Sequence, residues 1–556
     1  MTHNAEAVPH AKVLLNGTPL DAATAADVME VEIQQHMCLP DSFLLHILDN
    51  GFNRLKDDKF KVGDELTFVS ETTDYEEIEL LIGEITTIEP QFTEAKEFRL
   101  VLRGYDKLHR LYRTYQTKAH QNVRDSDIAA ALADELGLDH EIEQTETIYD
   151  HLIQFNESDL HFLQRRADRI GFVAFVTNTT LHFHSPNYES AKTSLKWGDT
   201  LLSFYPILST SAQVEEVQVR DWDMEAQKPI LGRAEAGTLY PKIEGYENGA
   251  ETASPFGKHK RLFTESHAQN QAEADLIASA RLNEISGQFI EADGMAFQMP
   301  ELRAGSVVEI FTGSKKFDGD YLVTATEHTY SPGGYYTRFS ITGLHSNLLL
   351  NQLTLRDHLV ERDGVAIGIV TNTKDPQKLG RVKVAYPWLS DDLESHWCRV
   401  VSVGAGPKAG FSAVPAVEDE VLVAFEHGQI NRPYVLGGVW NGKHGLPLGH
   451  EGVREGDEPH ARSWTSRKGH QITLFETEEQ RIEIQTVDGH AFTLDDTGKS
   501  IELRTAGGLV LKMSDNENGI SIESSGSVTI KGQQEINIES GGSMTLSASG
   551  DLNLSG

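Results

Sequence analysis

Residues 519–556 decide the fold class of this chain, and they read GISIESSGSVTIKGQQEINIESGGSMTLSASGDLNLSG. Two apolar residues separated by one polar residue recur here every eight positions. The pairs are Ile520 and Ile522, Val528 and Ile530, Ile536 and Ile538, Met544 and Leu546, and Leu552 and Leu554. Because residues i and i+2 share one face of a strand, each octad predicts a short strand with one apolar and one polar face.

One octad cannot bury its own apolar pair, and a β-helix made by a single chain usually needs more residues per coil. Three chains that wind around a common axis would place every pair at the centre, where burial is favourable. The repeat therefore predicts a homotrimeric needle whose core is these ten residues. A disordered Gly/Ser tail is the alternative. Looser copies occur upstream at Ile482/Ile484, Phe492/Leu494, Ile501/Leu503 and Leu509/Leu511.

The region before the repeat predicts a small β-barrel. Short alternating stretches such as Ile367/Ile369 and Val421/Val423 are separated by glycine and Asp-Pro turns. Five or so strands in this length fit an OB-like Greek-key barrel, with Pro387 and Pro433 at strand ends. We place the barrel at 356–455 and the needle at 456–556.

The first 355 residues predict two β-rich α+β modules. Asn16-Gly17 indicates a tight hairpin. One helix is expected to begin with Asp125 or Ser126 as its cap and to end at Gly137, and a second runs from Ser158 to Gly171. A third, Ala-rich helix is expected within 267–286.

Composition restricts the function. The 556 residues carry a formal net charge of −35, which disfavours binding to nucleic acid or to anionic lipid. Two cysteines, Cys38 and Cys398, are too few for a disulfide framework. The N-terminus lacks the pattern of a signal peptide, so we expect synthesis in the cytoplasm.

Catalytic motifs give no support for an enzyme. Gly404-x-Gly406-x-x-Ala409 has the letters of a dinucleotide fingerprint, but no helix is predicted after it. Gly498-Lys499-Ser500 is interpreted as a turn. His182 and His184 could begin a metal site, yet no third ligand is evident and two solvent-facing residues are the simpler interpretation. We predict no catalytic residue, no metal and no cofactor.

Six stretches of sequence resemble VgrG, the spike of type VI secretion, and its relatives in phage tails and extracellular contractile injection particles. They are FNESDLHFLQRRADRIGFVAFV at 155–176, ELRAGSVVEIF at 301–311, FDGDYLVTATEHTY at 317–330, GRVKVAYPW at 380–388, HWCRVVSVGAG at 396–406 and NRPYVLGGVWNG at 431–442.

The resemblance implies a trimeric hub at 1–355 that caps the inner tube, an OB barrel, and a triple-stranded β-helix that pierces the target cell envelope. It also implies contacts with inner-tube and baseplate proteins, and possible effector cargo. The last layer, Asp551, Leu552, Asn553, Leu554, Ser555 and Gly556, stops in phase with the repeat, and we predict that it docks a PAAR-like tip protein. A trimeric tail fibre or adhesin, and a carbohydrate-active enzyme on a β-helix, are the competing hypotheses.

Overall fold

A computed structural model describes residues 11–553 except 72–75, 93–97, 187–191, 224–225, 265–267, 345–363, 391, 449–453, 456–457 and 477. The chain divides into two compact units, residues 1–438 and residues 439–556. Each unit has its own sheets, and they are described separately below. None of the described helices is long and apolar enough to cross a membrane.

The first unit begins with a β-rich region in which strands outnumber helices. Its strands are β1 Lys12–Leu15, β2 Thr18–Pro19, β3 Val28–His36, β4 Ser42–Leu48, β5 Glu65–Glu71, β6 Glu77–Phe92, β7 Phe98–Tyr105, β8 Tyr115–Val123, β9 Asp139–Ile142, β10 Tyr149–Ser158, β11 Val173–Thr177, β12 Thr180–His184, β13 Lys192–Lys196, β14 Leu201–Leu208, β15 Glu216–Asp223, β16 Lys228–Ala234, β17 Lys242–Ile243, β18 Lys260–Thr264, β19 Ile290–Phe297, β20 Val307–Phe311, β21 Gly319–Leu322, β22 Ala325–Ser331 and β23 Gly334–Ile341. Its helices are α1 Ala22–Ala26, α2 Asn53–Lys56, α3 Asp125–Leu136, α4 Asp159–Ile170, α5 Gly249–Ala253 and α6 Gln271–Gly287, with short 3-10 helices at Lys107–Tyr112 and Ser254–Phe256.

The local predictions for this region are confirmed with one correction. Asn16 and Gly17 form the β1–β2 turn with positive φ, as the hairpin signal requires. The Ser158 hydroxyl caps α4, and Gly171 ends it in the left-handed conformation. The predicted cap of α3 is wrong, because Arg124 is the cap residue and Asp125 is already helical. Asp125 instead forms a buried ion pair with Arg166.

An eleven-stranded sheet contains the same strand order twice. Four neighbouring strands of this sheet are β3, β4, β7 and β6, in that spatial order. Ranked along the chain, they are the first, second, fourth and third strands of the set. β14, β19, β23 and β22 repeat the order, and β22 pairs with β3 to join the two sets. Two separate apolar cores lie against them, one around Leu45 and Phe68 and one around Phe289 and Phe339. The two modules therefore share one topology and meet head to tail.

The predicted barrel is present and belongs to the first unit. Its strands are β24 Val365–Asn372, β25 Lys383–Ala385, β26 Arg399–Val400, β27 Ala405–Gly406, β28 Ala409–Gly410, β29 Glu420–Phe425 and β30 Pro433–Gly438. Five of them form a sheet in the order β25-β24-β29-β30-β26 around a buried core that includes Val384, Tyr386 and Val423. Pro433 opens β30, and Pro387 follows β25, so both prolines avoid strand interiors as predicted.

The second unit is an antiparallel meander followed by extended chain. Its strands are β31 Arg454–Glu455, β32 Glu458–Pro459, β33 Ala461–Thr465, β34 Gln471–Phe475, β35 Arg481–Gln485, β36 Ala491–Asp495, β37 Ser500–Arg504, β38 Val510–Ser514 and β39 Gly519–Glu523. β33 to β39 are neighbours in sequence order in one seven-stranded sheet. Residues 524–553 contain no assigned strand.

This sheet differs from the winding predicted for the upstream copies of the repeat. Each strand from β33 to β39 pairs with its neighbours in the same chain, so these copies form hairpins. The pair Leu509/Leu511 also shifts, because β38 begins at Val510 and its apolar pair is Leu511 and Met513. The domain boundaries at 355 and 455 remain predictions, since residues 345–363 and 449–453 lie outside the described part of the chain.

Candidate functional site

Glycine turns build the meander. Ser466, Thr486 and Thr505 begin equivalent turns in which each hydroxyl accepts the backbone N–H four residues later at 3.1 Å. The fourth residue of each turn is Gly469, Gly489 or Gly508, with φ of 93°, 91° and 85°. Only glycine adopts such angles without strain, so these positions turn the chain back on itself.

One face of the meander is apolar from β34 to β39, and in β33 it carries Trp464 together with Arg462. The cross-strand partners on this face include Ile472 with Ile484, Ile482 with Leu494, and Ile501 with Met513. The whole set is Trp464, Ile472, Leu474, Ile482, Ile484, Phe492, Leu494, Ile501, Leu503, Leu511, Met513, Ile520 and Ile522. We call this set the apolar face.

The apolar face is uncovered in the single chain. Ile482 is 41% exposed, Leu503 48% and Ile520 70%. Monomeric proteins rarely expose a contiguous apolar patch of more than a few hundred Å². Full burial of such a side chain from water contributes about 1.5–3 kcal/mol, and covering the part still exposed here would add a share of that. This face therefore has regular strands, but its apolar side chains are not buried as they would be in a core.

The opposite face of the meander is mostly polar. Glu502 and Arg504 lie 3.6 Å apart on β37, and Lys512 of β38 is 3.1 Å from Glu517. The Arg481 guanidinium stacks 4.1 Å from the ring centroid of Phe475. Partly exposed ion pairs of this kind add little stability. The two sides of the sheet therefore differ in composition, one mostly polar and the other apolar and exposed.

The octad residues lie at the end of this unit. Ile520 and Ile522 belong to β39 and lie on the same face of the sheet as their cross-strand partners Met513 and Leu511. Val528, Ile530, Ile536, Ile538, Met544, Leu546 and Leu552 lie in the extended segment and are each 47–68% exposed. Asp551 and Asn553 are exposed, whereas Leu554, Ser555 and Gly556 lie outside the described residues. A cleft of about 660 Å³ between β35–β39 and the start of this segment is lined by Phe492, Leu503 and Val528.

Among the described residues, the first unit leaves two strand edges unpaired at the ends of its repeated strand sets. β14 is the outermost strand of the eleven-stranded sheet, and its Tyr205 and Ile207 are 68% and 66% exposed. β6 pairs with β5 over Glu77–Glu84 and with β7 over Glu84–Phe92. The outer edge of 85–92 therefore has no strand partner in the part of the chain that the structure describes. Pro206 lies in β14 and Pro90 in β6.

β10 forms a joint with the barrel in the first unit. Ile153 and Phe155 contribute to the barrel core, and the Ile153 N–H donates to Asn431 Oδ1 at 2.8 Å. His151 Nε2 lies 2.9 Å from the Glu394 carbonyl oxygen, so it carries the proton and donates. Burial lowers the pKa of His151 to about 4, which keeps the ring neutral at physiological pH.

The sites considered for chemistry show other roles. His182 Nδ1 lies 3.2 Å from Glu141 Oε2, while His184 Nδ1 bonds to the Ser185 carbonyl oxygen. Over the residues that the structure describes, no group of three potential ligands surrounds them. Ala405–Gly406 and Ala409–Gly410 pair as a hairpin, which confirms that the fingerprint letters belong to a loop. Gly498 and Lys499 lie in the turn between β36 and β37, as predicted.

In sequence and in fold, this chain is similar to VgrG spike proteins. The injector OB domain of type VI secretion systems and phage baseplates matches residues 366–440. The chain belongs to the Alg8 N-terminal domain family, which matches residues 5–331, more than half of its length.

Two curated relatives and one solved structure carry the name VgrG. The actin cross-linking toxin VgrG1 of Vibrio cholerae is 23% identical over 371 residues, which are 60% of this chain and 32% of the toxin. The type VI secretion system spike protein VgrG3 of the same species is 24% identical over 53% of this chain and 31% of its own length. The chain thus spans about a third of these relatives. In the half-lidded Francisella PdpA-VgrG complex, one chain aligns with a TM-score of 0.55 and 10% identity, covering 90% of this chain and 89% of that chain.

Proposed function

We propose that the chain is the homotrimeric central spike of a contractile injection machine, which caps the inner tube and pierces the target envelope. The uncovered apolar face carries this proposal. Thirteen apolar side chains on one side of a sheet need a protein partner, and a chain that supplies the same face three times supplies that partner itself. The role is mechanical, because rigidity comes from burying this face.

Two different layers would form the shaft. Three meanders, one from each copy, would pack their apolar faces toward a common axis over residues 461–523. The octads of 524–553 have no assigned hairpin partners among the described residues of their own chain, so they would pair between copies and wind together. The turn glycines support this division, since their spacing changes where the meander ends.

The repeated strand order supports closure of the hub into a ring. Within one chain, the third strand of one set, β22, pairs with the first strand of the other set, β3. The free edges are the first strand of the second set, β14, and residues 85–92 of β6, the third strand of the first set. The same junction between copies would close three chains into a ring of six equivalent modules. Such a ring suits a tube with six subunits in each layer.

One proline in each free edge fits this arrangement. Pro206 in β14 and Pro90 in β6 each lack a backbone N–H and shorten the run of donors on an edge strand. Edge prolines reduce indiscriminate pairing with other sheets. A short, specific seam between copies would form on either side of each proline.

The further partners of the spike follow from the VgrG-like family. We infer that the hub contacts inner-tube and baseplate proteins, and that the final layer from Asp551 to Gly556 receives a PAAR-like tip protein. The assembled particle would be secreted or extracellular and would carry effectors. The name of one relative includes a toxin activity, but this chain matches 32% of that protein. A trimeric tail fibre or adhesin is the alternative function, because it would use the same apolar shaft.

Native mass tests the proposal. Light scattering of the full-length chain should give the mass of three copies. The mass of one chain in solution would contradict both the spike and the fibre.

A second experiment separates the hub from the shaft. Ile207→Asp places a charge on the free edge of β14 and should prevent co-assembly with tube protein, while Phe256→Asp is the control on an equally exposed apolar residue. Equal tube binding by both variants would exclude the β14 seam.

A chain truncated after Ser547 should lose the tip protein, and undiminished recovery would exclude docking at the final layer.

A further inference from the structure

The segment 107–124 has a charge opposite to that of the chain. Five of its residues are basic and none is acidic, in a protein whose net charge is −35. The basic residues are Lys107, Arg110, Arg113, Lys118 and Arg124. A uniformly acidic surface would be enough for solubility, so this concentration of positive charge requires its own explanation.

The segment carries exposed aromatic side chains. Tyr112 and Tyr115 are 50% and 51% exposed, and they surround His161 of α4. The Tyr112 ring lies 5.2 Å from His161 at 90° and 6.3 Å from Tyr115 at 73°. Edge-to-face packing of this kind fixes the rings while leaving half of their surface in water. We call Tyr112, Arg113, Tyr115 and His161 the Tyr–Arg surface.

Arg113 is oriented by a hydrogen-bonded histidine. His109 Nδ1 lies 2.7 Å from the Asp106 carbonyl oxygen and must donate to it, which leaves Nε2 as an acceptor. Arg113 Nη2 donates to that Nε2 at 3.1 Å. Burial lowers the pKa of His109 and favours this neutral form. The contact uses one N–H of the guanidinium, and Arg113 is exposed.

The positive charge is only partly neutralised within the described residues. Arg110 pairs with Glu84, and the Glu84 carboxylate also lies 4.0 Å from His109 Nε2. Neither Arg113 nor Lys118 forms an ion pair in the part of the chain that the structure describes. Lys118 lies on the edge strand β8, and a lysine in such a place is explained simply by protection against aggregation. That role does not account for two half-exposed tyrosines beside an oriented arginine, which are the residue types enriched at binding hot spots.

We propose that the Tyr–Arg surface docks an acidic segment of another protein. Carboxylates of the partner would bind the free N–H groups of Arg113, and its apolar side chains would cover the Tyr112 and Tyr115 rings. Nucleic acid and anionic lipid would offer the same negative charge, but the field of the whole chain repels extended polyanions. A short acidic segment meets the local charge without approaching the rest of the surface. The proposal does not depend on the assembly of the spike.

Fluorescence anisotropy on the full-length chain tests this inference. The probe is a labelled peptide of Glu-Leu-Glu-Ser repeats, and the control probe has Gln for every Glu. The wild type should bind the Glu peptide, more weakly as salt is added, and should ignore the Gln peptide. Arg113→Glu should weaken binding about tenfold, and Tyr112→Ala should weaken it without changing the net charge. Arg220→Glu is the matched control, because Arg220 is also exposed and unpaired in the described chain.

Three results would overturn the inference. The first is the absence of salt-dependent binding of the Glu peptide by the wild type. The second is a loss for Arg220→Glu as large as the loss for Arg113→Glu, which would indicate a general charge effect. The third is an altered native mass of Arg113→Glu with unchanged peptide binding, since the occupant would then be a second copy of this chain.

Discussion

The two units of the molecule treat their apolar residues in opposite ways. In the first unit, Leu45, Phe68, Phe289 and Phe339 are at most 3% exposed, and each core closes within one chain. In the second unit, the apolar face has regular strands, and many of its side chains are exposed among the residues that the structure describes. Alternation of apolar and polar residues therefore produces a finished core in one unit and an exposed apolar face in the other. Strand pairing and burial of an apolar core are therefore separate steps in forming a structure. A chain can complete the first and bury its apolar side chains only when it assembles.

A charge introduced on the apolar face is expected to have the largest effect, because it would prevent this face from being buried between copies. Leu494→Asp would place one carboxylate per copy into the proposed shaft interior, at a cost of several kcal/mol each. We expect the trimer to be lost, as measured by light scattering. Thr493→Asp, on the polar face of the same strand, is the control and should retain the native mass. Equal behaviour of the two variants would mean that the apolar face is not an interface.

A buried ion pair allows the first unit to be weakened on its own. Arg166 Nε and Nη2 bind the Asp125 carboxylate at 2.6 and 3.0 Å, and both side chains are almost fully buried. Arg166→Ala should cost about 3–5 kcal/mol in the free energy of unfolding, because Asp125 is left buried without its ion-pair partner. The neighbouring Arg165→Ala should cost about 0–1 kcal/mol, since the Arg165–Glu157 pair is partly exposed.

Denaturant unfolding followed by hydrogen exchange would report these values. The native mass should remain that of a trimer for Arg166→Ala under native conditions, because the shaft is untouched. Dissociation of this variant would show that the two units do not stabilise themselves independently.

Acid should loosen the joint between β10 and the barrel. The pKa of His151 is lowered to about 4 from an ordinary value of 6.5, so the unfolded chain binds the proton first. The stability that the neutral ring contributes is present above pH 6.5 and is lost as the pH falls toward 4. At pH 5 the loss is about 2 kcal/mol. His151→Gln removes this titration, so the difference in stability between pH 7 and pH 5 should be smaller by that amount; an unchanged difference would contradict the assignment.

The smallest effect concerns two consecutive glycines in one turn of the meander. Gly508 has φ of 85°, whereas Gly507 is outside the left-handed region. A methyl group at either position would meet no clash, because nothing lies within 4 Å of an added Cβ. Gly508→Ala should therefore cost about 1 kcal/mol through backbone strain alone, while Gly507→Ala should be neutral or slightly stabilising. Thermal unfolding of the two variants measures the difference, and equal midpoints would contradict it.

The sequence predicted elements with local signals and missed those that depend on distant partners. α4 was predictable because Ser158 and Gly171 mark its two ends. The cap of α3 was misplaced because Asp125 binds Arg166, 41 residues away. The repeated strand order could not be anticipated, since it requires β7 to insert between β4 and β6.

Alternation alone does not distinguish pairing within a chain from pairing between chains. For that reason the upstream copies of the repeat were assigned to the winding needle. Gly469, Gly489 and Gly508 were the available signal for hairpins, because the octads end in Gly and Ser clusters at a different spacing. The Tyr–Arg surface left a charge signal in the sequence, but the proximity of His161 to Tyr112 follows only from the packing of α4.

The equivalent turns that begin at Ser466, Thr486 and Thr505 make the meander modular. Adding or deleting one stretch of about twenty residues would change the sheet by two strands, or about 10 Å, and would leave the alternation and both flanking regions in register. Duplication of a short stretch of gene could therefore adjust the reach of this protein in fixed increments. Under the proposed function, fitting the shaft to a thicker or thinner envelope would then require no new core to evolve.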